Sequence, residues 1–268
     1  MLVLCLVGFA VLAIGLLVRS YSGGEGGANR SEGNGAERTS TTTRHCRAGE
    51  VAVGSRRSAF VAFVRTRAEV YGRPGGTRLS TLSRLSKSFA TTNQRGVPTV
   101  VAVLTEVRAS DCQTHWYRVR LSGKPGVSGA REGYIPADAV ALTEVRSRVL
   151  IDLSSRHLTL YEGGVPALRA PVAVGAPSTP TPRGRFVVRE RIRITDSGGA
   201  YGSAAIALSA FSEKLIYWPQ GGPVAIHGTN DPGSIGTAAS HGCVRLGARD
   251  LAQVFRKVQI GTPVEIVE

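Results

Sequence analysis

The chain has 268 residues, 42% of them hydrophobic, with 33 Lys and Arg against 19 Asp and Glu, a formal net charge of +14 at pH 7. That length suffices for two compact domains of about 100 to 120 residues plus a tail, and the apolar share supports globular cores and excludes a chain disordered throughout. The charge is uneven: residues 1–150 carry 21 basic and 10 acidic side chains and residues 151–268 carry 12 and 9, so the attraction to polyanions lies mostly in the N-terminal half.

Met1 to Val18 are uncharged and almost wholly apolar, Arg19 follows, and a mixture rich in Gly, Ser, Thr, Asn and Glu runs to Thr43. This reads as an N-terminal apolar helix at 1–20, a transmembrane anchor or signal segment, followed by a flexible linker at 21–55. The apolar run is short for a bilayer span and long for a signal-peptide core, so anchor and cleaved signal both stand. No Lys or Arg precedes it, against the positive-inside pattern, which points to a start upstream of Met1 or to translocation driven by the long C-terminal part. Cys5 sits in this run as a passive membrane residue. Cys46 and Cys112 are left either as a disulfide pair, which implies an oxidising compartment, or as two buried thiols.

Residues 56–146 read as short strands broken by turns. Stretches 59–65, 99–107 and 116–121 are rich in β-branched and aromatic residues. In the last of these Trp116, Arg118 and Arg120 fall on one face and Tyr117, Val119 and Leu121 on the other, the pattern of a half-buried strand. The order Trp-Tyr-Arg-Val-Arg-Leu, a Gly/Pro/Ser loop and then Gly133-Tyr134-Ile135-Pro136 resembles the end of a small bacterial SH3-like barrel, in which residues 74–97 are a long polar insertion. Trp116 and Tyr134 are core residues or the lining of a peptide groove.

Residues 147–268 read as a second β-rich domain. Stretches 149–153 and 157–161 alternate apolar with polar, and Glu162-Gly163-Gly164 supplies a hairpin turn. From 185 to 194, Phe186, Val188, Ile192 and Ile194 share one face and Arg185, Arg189, Arg191 and Arg193 the other. The Gly-rich stretch from Ser197 to Gly222, with Tyr201, Phe211, Tyr217 and Trp218, reads as a mobile lid. Leu251, Val254, Phe255 and Val258 recur at helical spacing, with Asp250 near the start and Lys257 near the end, which predicts a packed helix over 247–258. Gly261 and Pro263 stop it, and 264–267 reads as a closing strand.

The segment from His227 to Leu246 carries the chemistry. Cys243 has His241 two residues before it and His227 sixteen residues upstream. Thiolate is the attacking species in acyl transfer, and a neighbouring imidazole makes it available near neutral pH. His241 shares a face with Cys243 on an extended backbone but is too close in sequence to reach back easily. His227 ends an apolar strand at 224–226 and can approach from a neighbouring strand, so it is the favoured base. No cofactor is expected: a structural zinc normally takes four ligands, and no nearby Cys or carboxylate completes a set with His227, His241 and Cys243.

The composite of His227, Ser240-His241-Gly242-Cys243, Val244 and Arg245, with Thr179-Pro180-Thr181-Pro182-Arg183-Gly184-Arg185-Phe186 upstream, resembles the L,D-transpeptidase catalytic domain of the YkuD type over residues 147–268. The resemblance implies a mainly β fold and a cysteine-dependent acyltransferase. Cys243 would be the nucleophile, His227 the general base and acid, and the Gly228 carbonyl the group that orients His227, with Asp231 as the alternative orienter. Backbone N–H groups around Gly242 and Cys243 would form an oxyanion hole. His241, Ser240, Arg245, Asn230, Tyr201 and Trp218 would meet substrate, Arg245 and Asn230 being equally readable as loop supports.

The implied reaction acylates Cys243 with a peptidoglycan stem tetrapeptide at its third residue, releases D-alanine, and passes the acyl group to a neighbouring stem amine in a 3→3 cross-link. Water as acceptor would make it an L,D-carboxypeptidase, and a protein amine a protein-to-peptidoglycan ligase. Carbapenem-type β-lactams are expected inhibitors. The basic N-terminal half is assigned to anionic wall polymers or lipid headgroups, with no nucleic acid partner, and the protein to the extracytoplasmic side of the membrane, tethered or secreted. Two other classes stay open: a non-catalytic wall-binding protein and an ordinary L,L cysteine peptidase.

Overall fold

Alternating apolar residues build two sheets in succession along the chain. The computed structural model describes residues 48–89, 96–123, 131–215, 217 and 221–268; the apolar segment, most of the linker, Cys5, Cys46 and Trp218 lie outside them. In chain order the first strands are β1 (Gly49–Ala52), β2 (Ala59–Val64), β3 (Arg67–Tyr71), β4 (Arg78–Ser83), β5 (Leu85–Ser86), β6 (Val97–Pro98), β7 (Val100–Arg108), β8 (Thr114–Arg120), β9 (Glu132–Pro136) and β10 (Val140–Val145). The second group is β11 (Ser147–Asp152), β12 (His157–Glu162), β13 (Val165–Pro171), β14 (Val174–Gly175), β15 (Gly184–Arg193), β16 (Ala204–Phe211), β17 (Pro223–His227), β18 (Ala238–Ser240) and β19 (Val244–Arg245), then helix α1 (Ala248–Lys257) and β20 (Pro263–Val267). Strands dominate and α1 is the one α-helix among the described residues, so the mainly β expectation holds.

The first sheet runs β10-β2-β7-β8-β9-β3-β4, with β1 pairing β7. Its core is Ala62, Val64, Val70, Val101, Val119 and Ile135, and β8 buries Tyr117 and Val119 while Trp116, Arg118 and Arg120 face outward as its alternation requires. Two expectations need correction. The flexible linker does not extend to residue 55, because Glu50 and Val51 pair in register with Val107 and Glu106. The stretch 74–97 is not a plain insertion either: Arg78 to Ser83 pairs with β3, and Leu85 and Ser86 pair with Pro98 and Val97.

The second sheet runs β13-β12-β11-β20-β15-β16-β17-β19. The C-terminal strand does not close an edge. It slots into the middle, parallel to β11 and antiparallel to β15, so that Ile266 lies opposite Ile151 on one side and Gly184 on the other. Helix α1 turns Leu251, Val254 and Phe255 inward, and its Asp250 and Lys257 complement the dipole at the two ends. The core gathers Val149, Ile151, Leu158, Leu160, Ile206, Leu208, Ile226, Val244 and Ile266.

Two further expectations fail for physical reasons. The stretch 197–222 is not a lid throughout, since β16 inside it is buried along its whole length between β15 and β17. The regular alternation of β15 breaks at a register shift between Val188 and Glu190, a bulge that moves Glu190 off the face of Val188 and leaves it buried. Val187 joins Val61, Val100 and Val145 in a small cluster where the two sheets meet, and His45–Glu268 forms one compact unit.

Candidate active site

The site is assembled at the edge formed by β17 and β19. These two strands are parallel, with Ile226 opposite Val244 and His227 opposite Arg245. Period two sends Ile226 and Val244, both fully buried, into the core, and leaves His227, Arg245 and the preceding Cys243 on the other face. Neighbouring strands lie about 5 Å apart and two residues advance about 7 Å, so the imidazole and the sulfur are diagonal neighbours. Both line one cavity of about 280 Å³, together with Tyr201, Ser212, Leu215, Val224, Ser240, His241 and Arg245. No hydrogen bond joins His227 to Cys243 among the described residues, and Cys243 is the free cysteine there.

His227 is 4% exposed. Its Nδ1 lies 2.6 Å from the Gly228 carbonyl oxygen, which can only accept, so Nδ1 carries the proton and Nε2 is left with its lone pair. Burial pushes the His227 pKa down to about 4, with Arg245 acting in the same direction and the Gly228 carbonyl against it. Burial likewise raises the Cys243 thiol, opposed by the Ala225 amide and by Arg245. The resting pair at neutral pH is therefore a neutral imidazole and a neutral thiol, not an ion pair.

Gly228 is held from below. Its N–H donates to the Tyr201 carbonyl at 2.8 Å, and a Cβ there would come within 3.0 Å of both Gly202 Cα and the Tyr201 oxygen, so only glycine lets these backbones touch. The contact lays the Tyr201 ring 4.8 Å from the imidazole, centroid to centroid. Asp231, the alternative orienter, does not touch His227; its carbonyl receives the Ser234 hydroxyl.

The turn before Cys243 is stapled by Ser240. The Ser240 hydroxyl donates to the Cys243 carbonyl at 2.5 Å and accepts the Gly242 N–H at 3.1 Å. The Gly242 amide is thus engaged by Ser240, and Ser240, 2% exposed, spends its hydroxyl on the turn while it lines the cavity. Gly242 has φ +108°, with the Pro180 and Thr179 carbonyl oxygens 3.5 and 3.7 Å from its Cβ position, a backbone conformation that side-chain-bearing residues avoid. The Ser240 carbonyl in turn accepts the Ala176 N–H at 2.8 Å and the Thr179 hydroxyl at 3.1 Å, and the Thr181 hydroxyl accepts the Gly175 N–H. Thr179 and Thr181 are thus supports of the catalytic turn, a role the 179–186 motif did not announce.

Of the other expected residues, His241 is exposed and lines the cavity with Arg245 and Tyr201. The Arg245 Nε is buried without a hydrogen-bond partner. Asn230 is exposed and stands outside the cavity lining. Cys112 is disulfide-bonded.

The family model of the L,D-transpeptidase catalytic domain, YkuD, matches residues 146–266. Over 153 residues the chain is 35% identical to the putative L,D-transpeptidase YkuD of Bacillus licheniformis, covering 54% of this chain and 83% of that protein. The chain belongs to the L,D-transpeptidase family. Within this family it is also 30% identical over 152 residues to L,D-transpeptidase 1 of Mycobacterium tuberculosis, covering 53% of this chain and 56% of that one. Among solved L,D-transpeptidases, LdtMt1 in complex with imipenem aligns at 21% identity and a TM-score of 0.39, over 63% of this chain and 90% of that one.

Proposed function

We propose that this L,D-transpeptidase forms 3→3 peptidoglycan cross-links through an acyl-enzyme on Cys243, in building the cell wall. The observation that carries the reading is the tautomer of His227: Nδ1–H is committed to the Gly228 carbonyl, so Nε2 is a free base in the cavity that also holds Cys243. Because imidazole and thiol are both neutral at rest, the proton passes from sulfur to Nε2 as sulfur attacks the donor carbonyl. The donor's arrival closes the diagonal gap between the two side chains, since catalytic hydrogen bonds commonly tighten only with substrate bound.

The imidazolium then gives its proton to the departing D-alanine nitrogen, leaving a thioester. The acceptor amine loses a proton to Nε2 as it attacks, and the thiol is restored. With the Gly242 amide engaged, the Cys243 amide is the backbone donor assigned to the oxyanion. Arg245 is assigned to a donor carboxylate, with His241 and Tyr201 at the rim.

The same reading places the protein outside the cytoplasm, held by its N-terminal apolar segment or secreted. The disulfide-bonded Cys112 supports an oxidising compartment, with Cys46 as the proposed partner. The first sheet is read as the SH3-like module, and its basic surface as the contact for anionic wall polymers or lipid headgroups. Carbapenems acylate Cys243 on this account.

Incubation of the full chain with disaccharide tetrapeptides, read by mass spectrometry, tests the reading. A 3→3 dimer with D-alanine released supports it. Disaccharide tripeptide alone makes the protein a carboxypeptidase, and no turnover in either form leaves the wall-binding alternative.

A further inference from the structure

The most unusual buried group outside the site is Glu190. It is 5% exposed, lies on the bulged part of β15, and its carboxylate receives two donors from far along the chain: the Ser88 hydroxyl on Oε1 and the Phe89 N–H on Oε2 at 2.7 Å. A buried carboxylate is costly unless hydrogen-bonded, so this one fixes residues 88 and 89 of the first sheet's excursion in a single position on the second sheet. The neighbouring Arg189 reinforces it. Its guanidinium lies 4.6 Å from the Phe89 ring centroid and donates to the Ser86 hydroxyl at 3.0 Å and to the Lys87 carbonyl at 3.3 Å.

What this clasp delivers is the Phe89 ring, set edge-on to Phe211 with centroids 6.1 Å apart. Phe211 is the last residue of β16 and is paired with Pro223. The next residue, Ser212, donates its N–H to the Gly222 carbonyl at 2.8 Å and accepts the Lys214 and Leu215 amides on its hydroxyl. Ser212, Leu215, Gly222 and Pro223 form one wall of the cavity that holds Cys243. An unbroken series of contacts therefore runs from Glu190 through Phe89 and Phe211 to that wall.

We propose that Phe89, seated by Glu190, is a positioning residue for the acyl-donor side of the active site, so that the excursion between β5 and β6 shapes the cavity of the second sheet. It touches neither Cys243 nor His227 and acts through Phe211 and the Ser212 turn. Aromatic edge-to-face packing is directional as well as apolar, so a small side chain at 89 frees Phe211 to shift and with it the turn that Ser212 caps. The link to donor recognition rests on the acyl-enzyme reading above; the bracing of the wall does not.

Two measurements on the full chain separate these. In amide hydrogen exchange, Phe89→Ala is expected to speed exchange at Ser212, Lys214 and Leu215 about tenfold or more while β11 and β20 stay protected, and Phe89→Leu to restore part of the protection. Unchanged exchange at those three amides, or a loss of protection everywhere, overturns the brace. In the second measurement, Phe89→Ala is expected to slow acylation of Cys243 by a carbapenem about tenfold while alkylation by the much smaller iodoacetamide changes less than twofold. Equal effects on both reagents, or none on either, overturn the link to the donor side. A wild-type chain that resists the carbapenem yet shows the exchange difference refutes the acyl-enzyme reading and leaves the brace standing.

Discussion

The Tyr201 ring lies 4.8 Å from the His227 imidazole, and the Tyr201 carbonyl receives the N–H of the same Gly228 whose own carbonyl orients that imidazole. One residue thus covers the base and anchors its orienter. Tyr201→Ala is expected to admit water to the ring and raise the His227 pKa from about 4 toward the ordinary range, because burial is the main cause of its depression. Tyr201→Phe keeps the cover and should keep the value. An NMR titration of the imidazole in both variants checks this.

The neutral resting pair fixes the pH dependence of acylation. Below about pH 4 His227 is protonated, the base is lost and the rate falls. Above that the rate is expected to stay level through neutral pH, with no loss near the usual histidine range, because no imidazolium is required in the resting state. Iodoacetamide, which needs preformed thiolate, should react slowly at pH 7 and still be accelerating above the ordinary thiol range, since the Cys243 value is raised. Rates of both reactions measured across pH check the pair of expectations.

His227 also links stability to pH. It is neutral in the fold down to about pH 4 but takes a proton near 6.5 once unfolded, so between those values the unfolded chain binds more protons and stability rises with pH. The contribution is complete above pH 6.5, is lost as the pH falls, and levels off below about 4. Its size is on the order of 3 kcal/mol at 1.36 kcal/mol per pKa unit. Urea unfolding at a series of pH values should show this slope in the wild type and a shallower one in His227→Gln.

The staple at Ser240 is testable without touching the sulfur. Ser240→Ala leaves the buried Gly242 N–H and the Cys243 carbonyl without their partner, which costs about 1 to 3 kcal/mol, and should slow donor acylation at least tenfold because Cys243 loses its fixed position. Gly242→Ala meets the Pro180 and Thr179 carbonyl oxygens only at ordinary contact distance, 3.5 and 3.7 Å, so its effect is mainly backbone strain at positive φ, also about 1 to 3 kcal/mol. Thermal melts and acylation rates of both variants check these figures.

Most of the second sheet was legible because its strands obey period two, and α1 because Leu251, Val254 and Phe255 obey the helical period. Cys243 and His227 were legible as a spaced composite. Strand β16 was not, since Ala204 to Phe211 is buried on both faces and so shows no alternation, while its small residues resemble those of a loop. Strand β4 was missed for the opposite reason: Arg78 to Ser83 is almost wholly exposed and is held as a strand by its ladder to β3. The supports from Thr179 and Thr181 and the seat of Phe89 on Glu190 depend on how distant segments meet, which no local pattern encodes.

The acyl-enzyme on Cys243 is tested by peptide mapping with mass spectrometry after brief exposure of the full chain to a disaccharide tetrapeptide, with the reaction quenched in acid to preserve a thioester. Nucleophilic attack by Cys243 yields a disaccharide tripeptide adduct on the peptide containing that residue, with one D-alanine released per adduct and none formed by Cys243→Ala. An adduct on another residue, or D-alanine release by Cys243→Ala at the wild-type rate, would contradict it.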